Sequence, residues 1–254
     1  MIEYGRSIRW FNDYEDEIKF SESNGFDFMQ LWFVKGELVL DKVLTPKEQH
    51  VYNSNFPVII HALYDVNDYD KYNSELIRIL KLLKHSEVII HPICEELVVN
   101  KETIYLISDN IYRTNQLLKS EGVRLYVENN SIIDKVNYMP GDLKIVFDRN
   151  PDVELVLDIA HIDSYKHLQN ILEVKFPKCL HISDKRFISF HEHLAVGQGE
   201  LNFDLIFRKY LKEFEGKVIF EVVGTDEEII NSKNIIKTAI ENKYYINRNI
   251  LAYN

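Results

Sequence analysis

Six times along this chain a short apolar run, rich in Val, Ile and Leu, stops at a residue that can bind a metal. The runs are Val58-Ile59-Ile60-His61, Val88-Ile89-Ile90-His91, Leu125-Tyr126-Val127-Glu128, Leu155-Val156-Leu157-Asp158, Cys179-Leu180-His181 and Val218-Ile219-Phe220-Glu221. Runs of this length and composition read as strands buried on both faces. Ile2–Ile8 and Phe26–Phe33 supply two more strands ahead of them. Between the strands lie stretches with helical spacing. Leu76, Ile77, Leu80 and Leu83 mark one, and Ile104, Leu106, Ile107, Ile111, Leu117 and Leu118 another, closed by Gly122. Strands that alternate with helices pair in parallel through crossover connections. Eight such units in 254 residues predict a closed (β/α)8 barrel, one domain over residues 1–254. The competing doubly wound open sheet usually carries a Gly-rich loop after its first strand, and Gly5-Arg6-Ser7 is not one.

Boundary signals refine this reading. Asn24-Gly25 closes a helix over 13–23. Thr45-Pro46-Lys47-Glu48 has the pattern of an N-cap, a first-turn proline and a capping-box glutamate. Further helices are expected over 70–84, 101–120, 140–149, 164–174, 203–214 and 226–241, with 243–254 left unassigned.

Charge and cysteine usage narrow the function classes. Forty acidic residues against thirty basic ones give a net charge of -10, which argues against nonspecific binding to nucleic acid. Cys94 and Cys179 give no disulfide framework, so a reducing cytoplasm is expected. No basic and apolar leader follows Met1, and no apolar run reaches the roughly 18 residues of a membrane span.

In a barrel of this kind all strand carboxyl ends open onto one face. His61, His91, Glu128, Asp158, His181 and Glu221 would then rim one pocket, with His161 one turn beyond Asp158. Clustered imidazoles and carboxylates repel or lack partners unless a cation joins them. The donors fit zinc or manganese. The loop after the seventh strand adds His191 and His193, whose i, i+2 spacing points both the same way in extended chain, followed by Gly197 and Gly199. Lys185 and Arg6 are candidates to bind a phosphate or hydroxyl, and Trp32 to wall the pocket.

Four motifs carry a resemblance: Val-Glu-Asn at 127–129, Asp-x-x-His at 158–161, His-x-x-Asp-Lys at 181–185 and His-Leu-x-x-Gly-x-Gly at 193–199. With them the chain resembles the xylose isomerase-like TIM-barrel superfamily, which joins sugar isomerases and epimerases with endonuclease IV. Similarity to the sugar enzymes implies one divalent metal on Glu128, Asp158, His181 and Glu221, with Glu128 and Glu221 as acid and base. Similarity to endonuclease IV implies three zinc ions, with His61, His91, His161, His191 and His193 as additional ligands. His191 departs from that pattern, which has Asp there. The expected function is a metal-dependent isomerase or epimerase acting on a sugar or sugar phosphate. A multi-zinc phosphodiesterase is the alternative, and a non-catalytic metal-binding barrel a further one. A homo-oligomer is compatible with either enzyme.

Overall fold

The computed structural model describes residues 1–41 and 46–251, with side chains described as far as 242. Eight parallel strands form its centre: β1 Glu3–Ser7, β2 Phe28–Val34, β3 Val58–Asp65, β4 Glu87–Ile93, β5 Arg124–Glu128, β6 Glu154–Asp158, β7 Cys179–Ile182 and β8 Lys217–Phe220. Each pairs with its neighbour in sequence, and β1 pairs with both β2 and β8, which closes the ring. This is the expected single-domain (β/α)8 barrel. Helices α1 Tyr14–Ser23, α2 Lys47–Ser54, α3 Tyr69–Leu83, α4 Lys101–Ser120, α5 Pro140–Arg149 and α6 Tyr165–Val174 cover the outside. A short α7, Phe203–Leu205, continues as a π-helical turn over Ile206–Tyr210, and α8 runs Asp226–Leu251.

Helix starts follow local chemistry. Asp13, Asn100 and Ser164 accept hydrogen bonds from the backbone N–H groups of Glu15, Thr103 and His167, pairing donors that have no intrahelical partner. Gly25 has φ of +63°, the left-handed turn that stops α1.

Strand parity divides the core. Outward residues such as Leu31, Ile60, Ile90, Val127, Leu157 and Val218 are buried against the helices, beside Leu76, Ile107, Val146, Leu168 and Ile236. Burying each such side chain stabilises by roughly 1.5–3 kcal/mol. Inward residues form a second, separate cluster of Phe28, Ile59, Ile89, Tyr126, Val156, Cys179 and Ile219. Gly5 faces this cluster, because a Cβ there would overlap the ring of Phe28.

The same parity corrects one expectation. Gly5 points in, so Arg6 points out. Its guanidinium is fully buried between β1 and α1, 2.6 Å from Glu17 Oε2, and also donates to Ser21 Oγ. It lies in the helix layer and is no substrate ligand. Other differences concern boundaries. β3 and β4 run on to Asp65 and Ile93, so His61 and His91 sit inside strands rather than at their ends. Glu37–Leu38, unanticipated, adds an antiparallel pair to β2. Pro46 is itself the cap of α2, Glu48 pairs with Arg78, and Thr45 lies outside the described residues. The π-helical turn replaces the end of the helix expected over 203–214, and α8 passes through part of the unassigned tail. No helix among the described residues is long and apolar enough to cross a membrane.

Candidate metal centre

Two residues beyond each member of the inner apolar cluster stands a polar one. Gln30, His61, His91, Glu128, Asp158, His181 and Glu221 thus form the next layer up the same strands, all buried. Their donor atoms converge into groups whose ligand atoms lie within 4.8 Å of one another: His61, His91 and Glu128; Glu128, Asp158, His181 and Glu221; and His161, His191 and His193. All nine residues read from the sequence as metal ligands are therefore in this constellation, and Glu128 belongs to two groups.

Glu128 divides its oxygens between those groups. Oε2 is 2.7 Å from His61 Nε2 and 3.1 Å from His91 Nδ1. Oε1 is 3.2 Å from His181 Nδ1 and 3.6 Å from His161 Nδ1. Glu221 Oε1 lies 3.5 Å from His181 Nδ1, and Oε2 lies 3.8 Å from His193 Nδ1.

Neighbouring groups set the orientations. Gln30 accepts from His181 Nε2–H at 2.9 Å and donates to Glu221 Oε1 at 2.5 Å. His181 thereby presents Nδ1, unprotonated when a cation binds, to the centre. His161 Nδ1–H donates to the Asn129 carbonyl at 2.9 Å, leaving Nε2 3.4 Å from Asp158 Oδ2. The Asn129 side chain clamps the Asp158 backbone through both its amide N–H and its carbonyl. Asp134 stands 3.8 Å behind His91 Nε2.

The loop carrying His191 and His193 is built on Asp184. Its carboxylate accepts from the N–H groups of Lys185, Gly197, Gly199 and Leu201. A Cβ at Gly199 would overlap that carboxylate. The glycines thus bring backbone close to an internal anion. Lys185 is fully buried and donates to the Ile162 carbonyl at 3.0 Å. This corrects its reading as a substrate ligand, because the ammonium is used to hold the chain beyond β6. Trp32 does wall a cavity beside the centre. Its ring lies 4.6 Å from that of His61, and Nε1–H donates to Ser7 Oγ.

The electrostatics fit a cation. Burial would raise the Glu128 carboxyl, but His181, His91 and His61 outweigh it and hold it well below the usual carboxylate range. Burial, with Glu128 and Glu221 close by, drives Asp158 well above it. Burial opposes a proton on His91, yet Glu128 and Asp134 raise it to about 10. His181 rises to about 9, as Glu221 and Glu128 overcome burial. Burial takes His161 down to about 3. Four buried polar atoms without a hydrogen-bond partner fall in this one place: Glu128 Oε1, Asp158 Oδ2, His161 Nε2 and His181 Nδ1. Leaving such atoms unpaired costs about 1–3 kcal/mol each. Imidazole nitrogens and carboxylate oxygens aimed at common points are the donor set of a divalent metal.

Sequence reasoning missed Gln30, Asn129 and Asp134 as orienting groups. For Gln30 a signal existed, since it follows Phe28 by two in a strand and must share its face.

No family model matches the chain. An uncharacterized protein of Methanocaldococcus jannaschii is 28% identical over 109 residues, spanning 42% of each chain. Among solved structures, a D-tagatose 3-epimerase-like protein superposes with a TM-score of 0.77 at 16% identity, covering 96% of this chain and 98% of that one. The IOLI protein with a zinc atom gives 0.71 at 18% identity, covering 95% and 99%. Endonuclease IV from Thermus thermophilus gives 0.66 at 17% identity, covering 94% and 99%. The structural neighbours are xylose isomerase-like TIM-barrel proteins, and this chain has their fold.

Proposed function

We propose that the protein is a divalent-metal-dependent hydrolase of small phosphate esters, with a centre that holds more than one ion. The observation that carries this is Glu128, whose two oxygens face different ligand groups. A carboxylate shared in this way suits adjacent ions, and the imidazoles of His61, His91, His161, His191 and His193 exceed what a single ion needs. A divalent ion held there, zinc or manganese by the donor set, supplies Lewis acidity that neutralises phosphoryl charge and makes water a stronger acid.

The chain supplies the rest. Glu128, Asp158, His181 and Glu221 hold one position, His61 and His91 with Glu128 a second, and His161, His191 and His193 a third. Glu221 borders the cavity and is the proton acceptor of this reading. Gln30 fixes His181, and Asn129 fixes His161 and Asp158, so that donors need no rearrangement on binding. The net charge of -10 favours a small substrate over a nucleic acid. With both cysteines unpaired, we place this chemistry in a reducing cytoplasm.

One observation favours a second reading. Glu128 and Glu221 both approach His181 Nδ1, at 3.2 and 3.5 Å, so two carboxylates converge as an isomerase or epimerase of a sugar or sugar phosphate requires. Metal-loaded protein assayed on aryl phosphate mono- and diesters, on an abasic-site duplex, and for deuterium exchange into ketoses separates the two. Ester hydrolysis without exchange is expected. Exchange without hydrolysis overturns the hydrolase and leaves the isomerase.

A further inference from the structure

The cavity beside the centre has a volume of about 420 Å³, within the range of small-molecule sites. Its lining is of two kinds. His191, His193 and Glu221 are members of the ligand groups. Trp10, Phe11, Trp32, Val39, Val222 and Val223 give it a broad apolar wall. The other polar side chains of the lining are already engaged. Ser7 Oγ accepts from Trp32 Nε1–H at 3.0 Å. Arg9 lies 2.7 Å from Glu17 and 2.6 Å from Asp226. A polyhydroxylated group seated there would give up hydrogen bonds to water and find few replacements, at a cost for each hydroxyl left unpaired. An aromatic or aliphatic group loses nothing polar and gains contact with two indoles and a phenyl ring. Exposed apolar residues extend this wall outward, since Trp10 is 45% exposed, Phe11 43% and Val223 75%.

We propose that this apolar wall is a specificity subsite for an apolar group, so that the substrate is a phosphate ester of an aromatic or aliphatic alcohol rather than of a sugar. The inference rests on the hydrolase reading for the phosphate and on the cavity alone for the apolar group. The lining places the ester oxygens toward His193 and Glu221 and the carbon group against the apolar wall that Trp10 and Trp32 contribute to.

The chain's only two tryptophans both line this cavity, so its intrinsic fluorescence reports occupancy directly. The test titrates metal-loaded full-length protein with phenyl phosphate, glucose 6-phosphate, inorganic phosphate and phenol, with calorimetry as the second readout. Phenyl phosphate is expected to bind at least about tenfold tighter than glucose 6-phosphate, an energy equal to the partial burial of one ring. Trp10→Ala removes a half-exposed ring outside the ligand groups. It should weaken phenyl phosphate about tenfold and leave inorganic phosphate within about twofold, by the same arithmetic. Val223→Glu, at a solvent-facing position, should act the same way. Equal or tighter binding of glucose 6-phosphate, or equal losses for both phosphates in the variants, overturns the subsite. Phenol that binds while inorganic phosphate does not leaves the apolar subsite standing and removes the phosphate reading instead.

Discussion

Two layers inside the barrel share the same strands and the same parity, two residues apart, and differ in what they do. The lower layer, Phe28, Ile59, Ile89, Tyr126, Val156, Cys179 and Ile219, is an apolar plug. The upper layer, from Gln30 to Glu221, is just as buried and almost wholly polar or charged. The lower layer gains stability from every contact. The upper one holds three polar atoms with no hydrogen-bond partner, on Glu128, Asp158 and His181, so its arrangement is paid for by the layer below and by the helix shell. A closed ring makes this division workable. Its strands are fixed on both sides, so costly groups at one end are held in place by packing at the other.

Exchanging the character of one position in each layer breaks this comparison most sharply. Glu128→Gln removes the carboxylate shared by two ligand groups. Hydrolysis should fall by more than about a hundredfold and metal content should drop, since even orienting partners of ligands are worth 10–100-fold. Thermal stability of the metal-free protein at pH 7 should fall, because the protonated His91 and His181 lose the buried carboxylate that offsets them. Metal content, activity and melting temperature measured on one preparation check all three. Phe28→Ala should lower stability but spare the metal. The cavity it opens costs about 3–5 kcal/mol of stability by chemical denaturation, while the metal stoichiometry of the folded protein stays unchanged.

These different outcomes also mark what the sequence made legible. The alternation of strands and helices, and the convergence of the donors His61, Glu128, Asp158, His181 and Glu221, could be read directly, because an apolar run that stops at a donor is a local pattern. Arg6 was misplaced because its charge was weighed without its parity. One residue from Gly5, it had to face α1, where Glu17 awaits it. Lys185 and Asp184 escaped for another reason. Their partners, the Ile162 carbonyl and the Gly197–Gly199 backbone, are nonlocal and appear only once the loop has folded over β6 and β7. Gln30 is uncharged and sits in an apolar run, so only its spacing from Phe28 could have revealed it.

A smaller effect sharpens the contrast through pH. The lower layer has no group that titrates near neutrality, whereas His91 and His181 are raised to about 10 and about 9. In the metal-free protein both carry protons at pH 7, and a cation must displace them. Metal affinity should therefore rise with pH, by about tenfold per unit for each proton displaced, until those values are reached. Competition with a chelator at pH 6, 7 and 8 measures the slope, and a flat profile would mean that these imidazoles are not ligands.

The number of ions the centre holds is what separates a shared Glu128 from a single-ion site most directly. Elemental analysis of protein purified without chelator, paired with anomalous scattering from its crystals, counts and places them. Two or three ions per chain, with one on each side of Glu128, is the predicted result. A single ion confined to Asp158, His181 and Glu221, or none at all, would contradict it.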